Sequence, residues 1–202
     1  MMKTDHLLRV IGAGFFSVAL LSAPDTSEAG TLKGQISLKG GESPENIAVY
    51  IENLPGSYAP AAKRPELMHR NLAFSPRVLP VLKGSVVDFP NADAVFHSAF
   101  STSPSNPFEL GIYGQGREKF MQFNNAGVVE ISCHIHPFMK ATVLVLDNPY
   151  FTVTDQRGEY VIADIPPGTY IVRTWSANGK PTTQQVSIPS TGSTQVNIAI
   201  TP

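Results

Sequence analysis

The sequence predicts an all-β protein. Apolar residues alternate with polar ones in short runs of period two, as in Leu32, Gly34, Ile36 and Leu38. Breakers recur at short intervals, with 17 Pro and 16 Gly in 202 residues, and no run carries the 3.6-residue periodicity of a long amphipathic helix. A sandwich or barrel is the class that such punctuation fits. The length suits one large or two small domains. An apolar content of 42% is enough to bury a core, and the formal charge of -1 argues against a general nucleic-acid or anionic-membrane binder, which needs a clustered basic excess.

The N-terminus reads as an export signal. Lys3 and Arg9 precede an apolar run, Val10 to Ala23, that is too short to span a bilayer comfortably, and Ser27-Glu28-Ala29 places small residues at both key positions of a cleavage site. Residues 1–29 are expected to be removed, leaving a periplasmic or secreted chain that starts at or near Gly30 and has no integral membrane span. An uncleaved N-terminal anchor is the alternative. Cleavage takes Lys3, Arg9, Asp5, Asp25 and Glu28 with it, so basic and acidic residues become equal in number.

Strands follow in order. Thr31 to Lys39 alternates. Ile47 to Ile51 is a β-branched run after the breaker Glu42-Ser43-Pro44, and Leu54 to Arg64 is a Pro- and Ala-rich loop that suggests a boundary. Leu72 to Gly84 reads as an edge strand kinked at Pro76 and Pro80, because proline cannot donate to a central ladder. Val86 to Asn91 is the next strand, and Ala94 to Phe100 carries His97 between apolar neighbours. Ser101 to Lys119, rich in Ser, Pro, Asn and Gly, reads as a long excursion over the surface. Lys119 to Phe123 and Val128 to Ser132 flank Asn124-Asn125-Ala126-Gly127, a hairpin signal, and Ala141 to Leu146 is a buried strand. The tail has turns at Asp155–Gly158 and Asp164–Gly168 and reads as a small antiparallel meander, thin for a core of its own.

Chemistry concentrates at Cys133-His134-Ile135-His136-Pro137-Phe138-Met139. These seven residues hold the only cysteine and two of the five histidines. A lone free thiol is a liability in an oxidising compartment, so Cys133 needs either inert burial or ligation to a metal. Thiolate, imidazole and thioether are donors that suit copper, and a His2Cys set with a weak axial Met is the set of an electron-transfer copper site. Side chains alternate along a strand, so His134 points away from Cys133, whereas His136 beyond the turn can swing back. Pro137 stiffens the loop. His97 is the candidate for the missing ligand. Taken singly, His97 is a core histidine and Met139 is core filler, and only the conjunction selects a metal. His69 and His134 read as ordinary surface residues.

Residues 66–147 resemble a cupredoxin, the blue-copper family of plastocyanin and azurin, with a Greek-key sandwich. The Cys133-x-x-His136-Pro137-Phe138-Met139 loop is similar to that of amicyanin, and Leu82-Lys83-Gly84-Ser85-Val86-Val87-Asp88-Phe89, Asn91 and Asp93 precede His97 in family order. The resemblance implies one copper ion held by His97, Cys133, His136 and Met139, in a protein that is not an enzyme and carries single electrons between transient redox protein partners. A non-redox copper carrier or sensor using the same site is the alternative, and a structural or adhesive β protein a third. Pro137 and Phe138 would form an apolar docking patch beside His136, and the protein is expected to be a monomer. Ser98 departs from the family, which usually has Asn there to tie the two ligand loops. A hydroxyl reaches less far, so a looser frame is expected.

The flanks resemble a second family. Thr154-Asp155-Gln156-Arg157-Gly158 and Pro166-Pro167-Gly168-Thr169-Tyr170 match the turns of the carboxypeptidase regulatory-like, or transthyretin-like, β-sandwich. That family has two strands before these turns, and Thr31 to Lys39 and Asn46 to Asn53 look like them. Residues 31–58 and 149–202 are therefore expected to form one small sandwich with the cupredoxin inserted into it. The alternative is a tandem order in which the sandwich is the tail alone, 149–202.

Overall fold

A computed structural model describes residues 29–40 and 43–201. The expected signal peptide, apart from Ala29, lies outside the described residues. The fold is all-β: 17 strands and, among the described residues, no helix.

Strand β1 (Gly30–Leu38) runs antiparallel to β13 (Glu159–Ile165) and parallel to β16 (Ser193–Gln195) and β17 (Ile198–Ile200). Strand β2 (Ala48–Glu52) lies between β12 (Phe151–Val153) and β14 (Gly168–Trp175), and β15 (Thr183–Ile188) extends that sheet beyond β14. The alternation of β1 decides its orientation, since Leu32 and Ile36 enter a shared core with Val49, Ile51, Ile162 and Val172 from the other strands.

The tail is not the meander that its turns suggest. Of its strands β14 and β15 pair with each other, whereas β12 pairs with β2 and β13 with β1. The Asp155–Gly158 turn carries the chain from one sheet to the other. Its Asp155 carboxylate accepts from the amides of Arg157 and Glu159 at 2.9 and 2.8 Å. Gly158, at φ 77°, presses against the carbonyl of Ile36, where a Cβ has no room.

The middle of the chain builds a second core. A five-stranded sheet runs in the order β5 (Val78–Leu82), β11 (Lys140–Leu146), β10 (Gly127–Ser132), β7 (His97–Ser101), β8 (Phe108–Tyr113). Two ribbons, β3 (Met68–Arg70) with β4 (Ala73–Ser75) and β6 (Val86–Pro90) with β9 (Glu118–Gln122), complete it. Phe74, Val87, Phe89, Phe123, Ile131 and Val143 share this core. Pro80 sits in β5, the edge strand, where a missing N–H is tolerated.

Two expectations fail here. The Asn124–Gly127 segment is not a hairpin, because β9 pairs with β6 while β10 pairs with β11 and β7. Its amides are satisfied from a distance: Asn106 Oδ1 accepts from Asn124 and Asn125 at 3.1 and 3.2 Å, which replaces the cross-strand bonds of a hairpin. The 101–119 segment is also not a mere excursion, since it contains β8, paired with β7, and the buried Asn106. Between the two cores, Ala48, Val78 and Leu144 are buried against Tyr50, Leu146, Val153 and Trp175.

Candidate metal centre

The site is built by adjacent strand ends. β10 ends at Ser132, paired with Lys140 of β11 on one side and Phe100 of β7 on the other. Cys133 is therefore delivered beside the start of β7, where His97 stands. The loop back to β11 is tight, with the Met139 amide donating to the His136 carbonyl at 2.9 Å, and this turns His136 over the strand ends. The ligand atoms of His97, Cys133 and His136 lie within 4.8 Å of one another. His97 and Cys133 are buried and His136 is half-buried. Met139 is also buried, in the same core as Cys133.

The proton positions follow from the partners. His97 Nε2 meets the Asp93 carboxylate at 2.9 Å. A carboxylate at neutral pH only accepts, so Nε2 carries the proton and Nδ1 presents its lone pair. That Nδ1 faces His136 Nδ1 at 3.1 Å. Two imidazole nitrogens and a thiol sulfur within 4.8 Å of one another form a donor set that fits a soft or borderline ion. Burial opposes ionisation of Asp93, but the amides of Leu72 and Asn71 and the His97 ring hold its carboxyl below the ordinary carboxylate range.

Ser98 departs from the expected looseness. Its amide donates to Cys133 Sγ at 3.4 Å, and its hydroxyl lies 3.7 Å from the same sulfur. The hydroxyl oxygen also accepts from the His134 amide at 2.9 Å. One buried serine thus ties the His97 strand to the Cys133 loop, because β7 and β10 approach closely enough there for a short side chain to span them.

Among the other predicted residues, Pro137 and Phe138 are exposed beside His136, and the Phe138 ring lies 5.8 Å from the His136 ring. His134 points to solvent, as its alternation predicts. It is nonetheless held, flat on Phe100 at 3.8 Å and 2.6 Å from the Glu109 carboxylate. His69 contradicts the expectation of a surface residue, for it is wholly buried. Its ring stacks on His97 at 5.0 Å and meets Tyr113 edge-on at 5.3 Å. Burial, and next the neighbouring His97, push its pKa down to about 4. A three-residue strand with one apolar flank hid it. The usable signal was its cross-strand partner Phe74, a core residue.

Sequence reasoning also gave Asp93 no role beyond its order in the chain. A cleft of about 650 Å³ lies elsewhere, between the two cores, along Arg77, Glu130 and Lys140.

No curated protein sequence matches the chain. The carboxypeptidase regulatory-like domain matches residues 127–201, a span that begins in β10 of the five-stranded sheet and runs through the tail. The copper-containing nitrite reductase (NirK) from Thermus scotoductus SA-01 is a similar solved structure, at 24% identity over 48% of this chain, with a TM-score of 0.41. The match spans a quarter of that enzyme's length, 25%. A novel purple cupredoxin from Nitrosopumilus maritimus is 21% identical over 41% of this chain and 99% of its own, with a TM-score of 0.38. A variant of amicyanin in its reduced Cu(I) form is 20% identical over 48% of this chain and 98% of its own, with a TM-score of 0.40. The chain is thus similar to cupredoxins among solved structures and to the carboxypeptidase regulatory-like domain among sequence families, the same two families that its Cys133–Met139 and Thr154–Tyr170 motifs resemble.

Proposed function

We propose that this protein is an exported, mononuclear type 1 copper protein that carries single electrons. The observation that carries this reading is the convergence of His97, Cys133 and His136 within 4.8 Å, with the His97 tautomer set by Asp93. In this reading His97 and His136 would hold the ion through their imidazoles, Cys133 through its thiolate and Met139, more weakly, through its thioether. Bound copper would supply a one-electron Cu(I)/Cu(II) couple. The residues supply rigidity: the buried His97 and Cys133 stand at the ends of adjacent strands, and Ser98 holds the two loops together. His136, half-exposed beside Pro137 and Phe138, would form the contact for brief encounters with redox partners, which use small interfaces.

The pairing of β1 and β2 with tail strands supports a nested division, residues 31–58 and 149–202 around 66–147. Deleting 31–53 should unfold the tail, and an unchanged tail would leave the tandem order.

The decisive experiment adds Cu(II) to the purified chain from Gly30 and records the visible spectrum. An intense thiolate-to-copper charge-transfer band is expected, and Cys133→Ser should abolish it. Absence of the band would remove the electron-transfer reading, and tightly bound yet readily exchanged Cu(I) in its place would indicate a carrier.

A further inference from the structure

The β3–β4 hairpin contributes no residue to the set read as ligands, yet it closes on His97 from two directions. At its tip the amides of Asn71 and Leu72 donate to the Asp93 carboxylate at 2.7 and 2.9 Å. The same carboxylate receives His97 Nε2. Both tip residues have φ 55°, a region costly for leucine, and it points successive amides at one anion. Along the hairpin's first strand, the buried His69 lays its ring over His97 with 4° between the planes. Its main chain is pinned, as the His69 carbonyl accepts from the Ala92 amide at 3.0 Å. Its ring nitrogens face the carbonyls of Pro90 and Ser98 at 3.4 Å each.

The two contacts on His97 do different work. A hydrogen bond at Nε2 fixes a point on the ring and leaves the ring free to turn about it. A flat neighbour removes that rotation. We infer that His69 is a positioning residue for the metal centre: its stacked ring fixes the plane in which His97 presents Nδ1 toward Cys133 and His136. The inference rests on the metal reading above, and it assigns the hairpin a purpose that space-filling alone does not require.

The test separates the face from the volume. His69→Phe keeps a flat ring and His69→Leu fills the space without one. Copper affinity should fall about 10–100-fold in the Leu variant, as for other partners that orient a ligand, and stay near the wild-type value in the Phe variant. In the metal-free proteins, ring-carbon relaxation at His97 should show a held ring in the wild type and the Phe variant, and a turning ring in the Leu variant. A folded Leu variant with unchanged affinity and a held His97 ring overturns the inference. Should the Leu variant not fold, the wild type decides: a His97 ring that averages over wide angles in the metal-free protein refutes the role of His69. If wild-type protein shows no charge-transfer band, the copper reading fails by itself, and the metal-free ring measurements still determine whether His69 holds His97.

Discussion

Ser98→Ala removes one oxygen from a fully buried position, and the structure assigns that oxygen two duties. It accepts from the His134 amide at 2.9 Å and lies 3.7 Å from Cys133 Sγ. The Ser98 amide, which also points at the sulfur at 3.4 Å, survives the substitution. In the metal-free protein the loss therefore falls on the His134 N–H, left without an acceptor in a part-buried setting. An unpartnered buried donor costs about 1–3 kcal/mol. For a chain of this size each kcal/mol corresponds to about 2–4 °C in the melting midpoint, which gives a fall of about 2–12 °C by differential scanning calorimetry. In copper-loaded protein the thiolate loses one hydroxyl donor. Such a donor withdraws charge from sulfur and disfavours Cu(II), so voltammetry should show a lower reduction potential for the variant. An unchanged midpoint together with an unchanged potential would refute the claim that Ser98 ties the two loops together.

Asp93→Ala should be more damaging than Ser98→Ala, since it strips the acceptor from His97 Nε2 and from the amides of Asn71 and Leu72; hydrogen bonds to a charged group are worth about 1.5–3 kcal/mol each, and calorimetry reads the difference. Leu32→Ala, at a site with no exposure, should cost about 2–5 kcal/mol. Urea unfolding followed by the single tryptophan, Trp175, should detect this loss, because β1 and β14 contribute to one core. The Asp155 carboxyl lies below the ordinary range because the Glu159 and then the Arg157 amide donate to it. Its contribution is therefore present above the unfolded-state pKa and is lost as pH falls through the lowered folded value. Hydrogen exchange at the Glu159 amide should accelerate over that acid window in the wild type and show no such step in Asp155→Asn.

Much of the candidate site was legible because it is local. Cys133, His136 and Met139 share one loop, and the rule that strand neighbours face opposite ways distinguished His134 from His136 without any coordinates. Two signals misled for one reason. Asn124–Gly127 has the composition of a hairpin, and the tail has the turns of a meander, but turn chemistry specifies where the chain reverses and says nothing of which strand it then joins. In both places the strands on either side of the turn enter different sheets.

The all-β class, the edge placement of Pro80 and the donor-rich Cys133–Met139 loop were determined by residue order alone, since each rests on φ restrictions, side-chain alternation or donor chemistry within a few residues. Tertiary structure decided the rest. It buried His69 against His97, seated the amides of Asn71 and Leu72 on the Asp93 carboxylate, and brought Ser98 within reach of Cys133, 35 residues away. These contacts join segments distant in sequence. They arise from the packing of sheets, and sequence periodicity carries no information about which distant faces will meet.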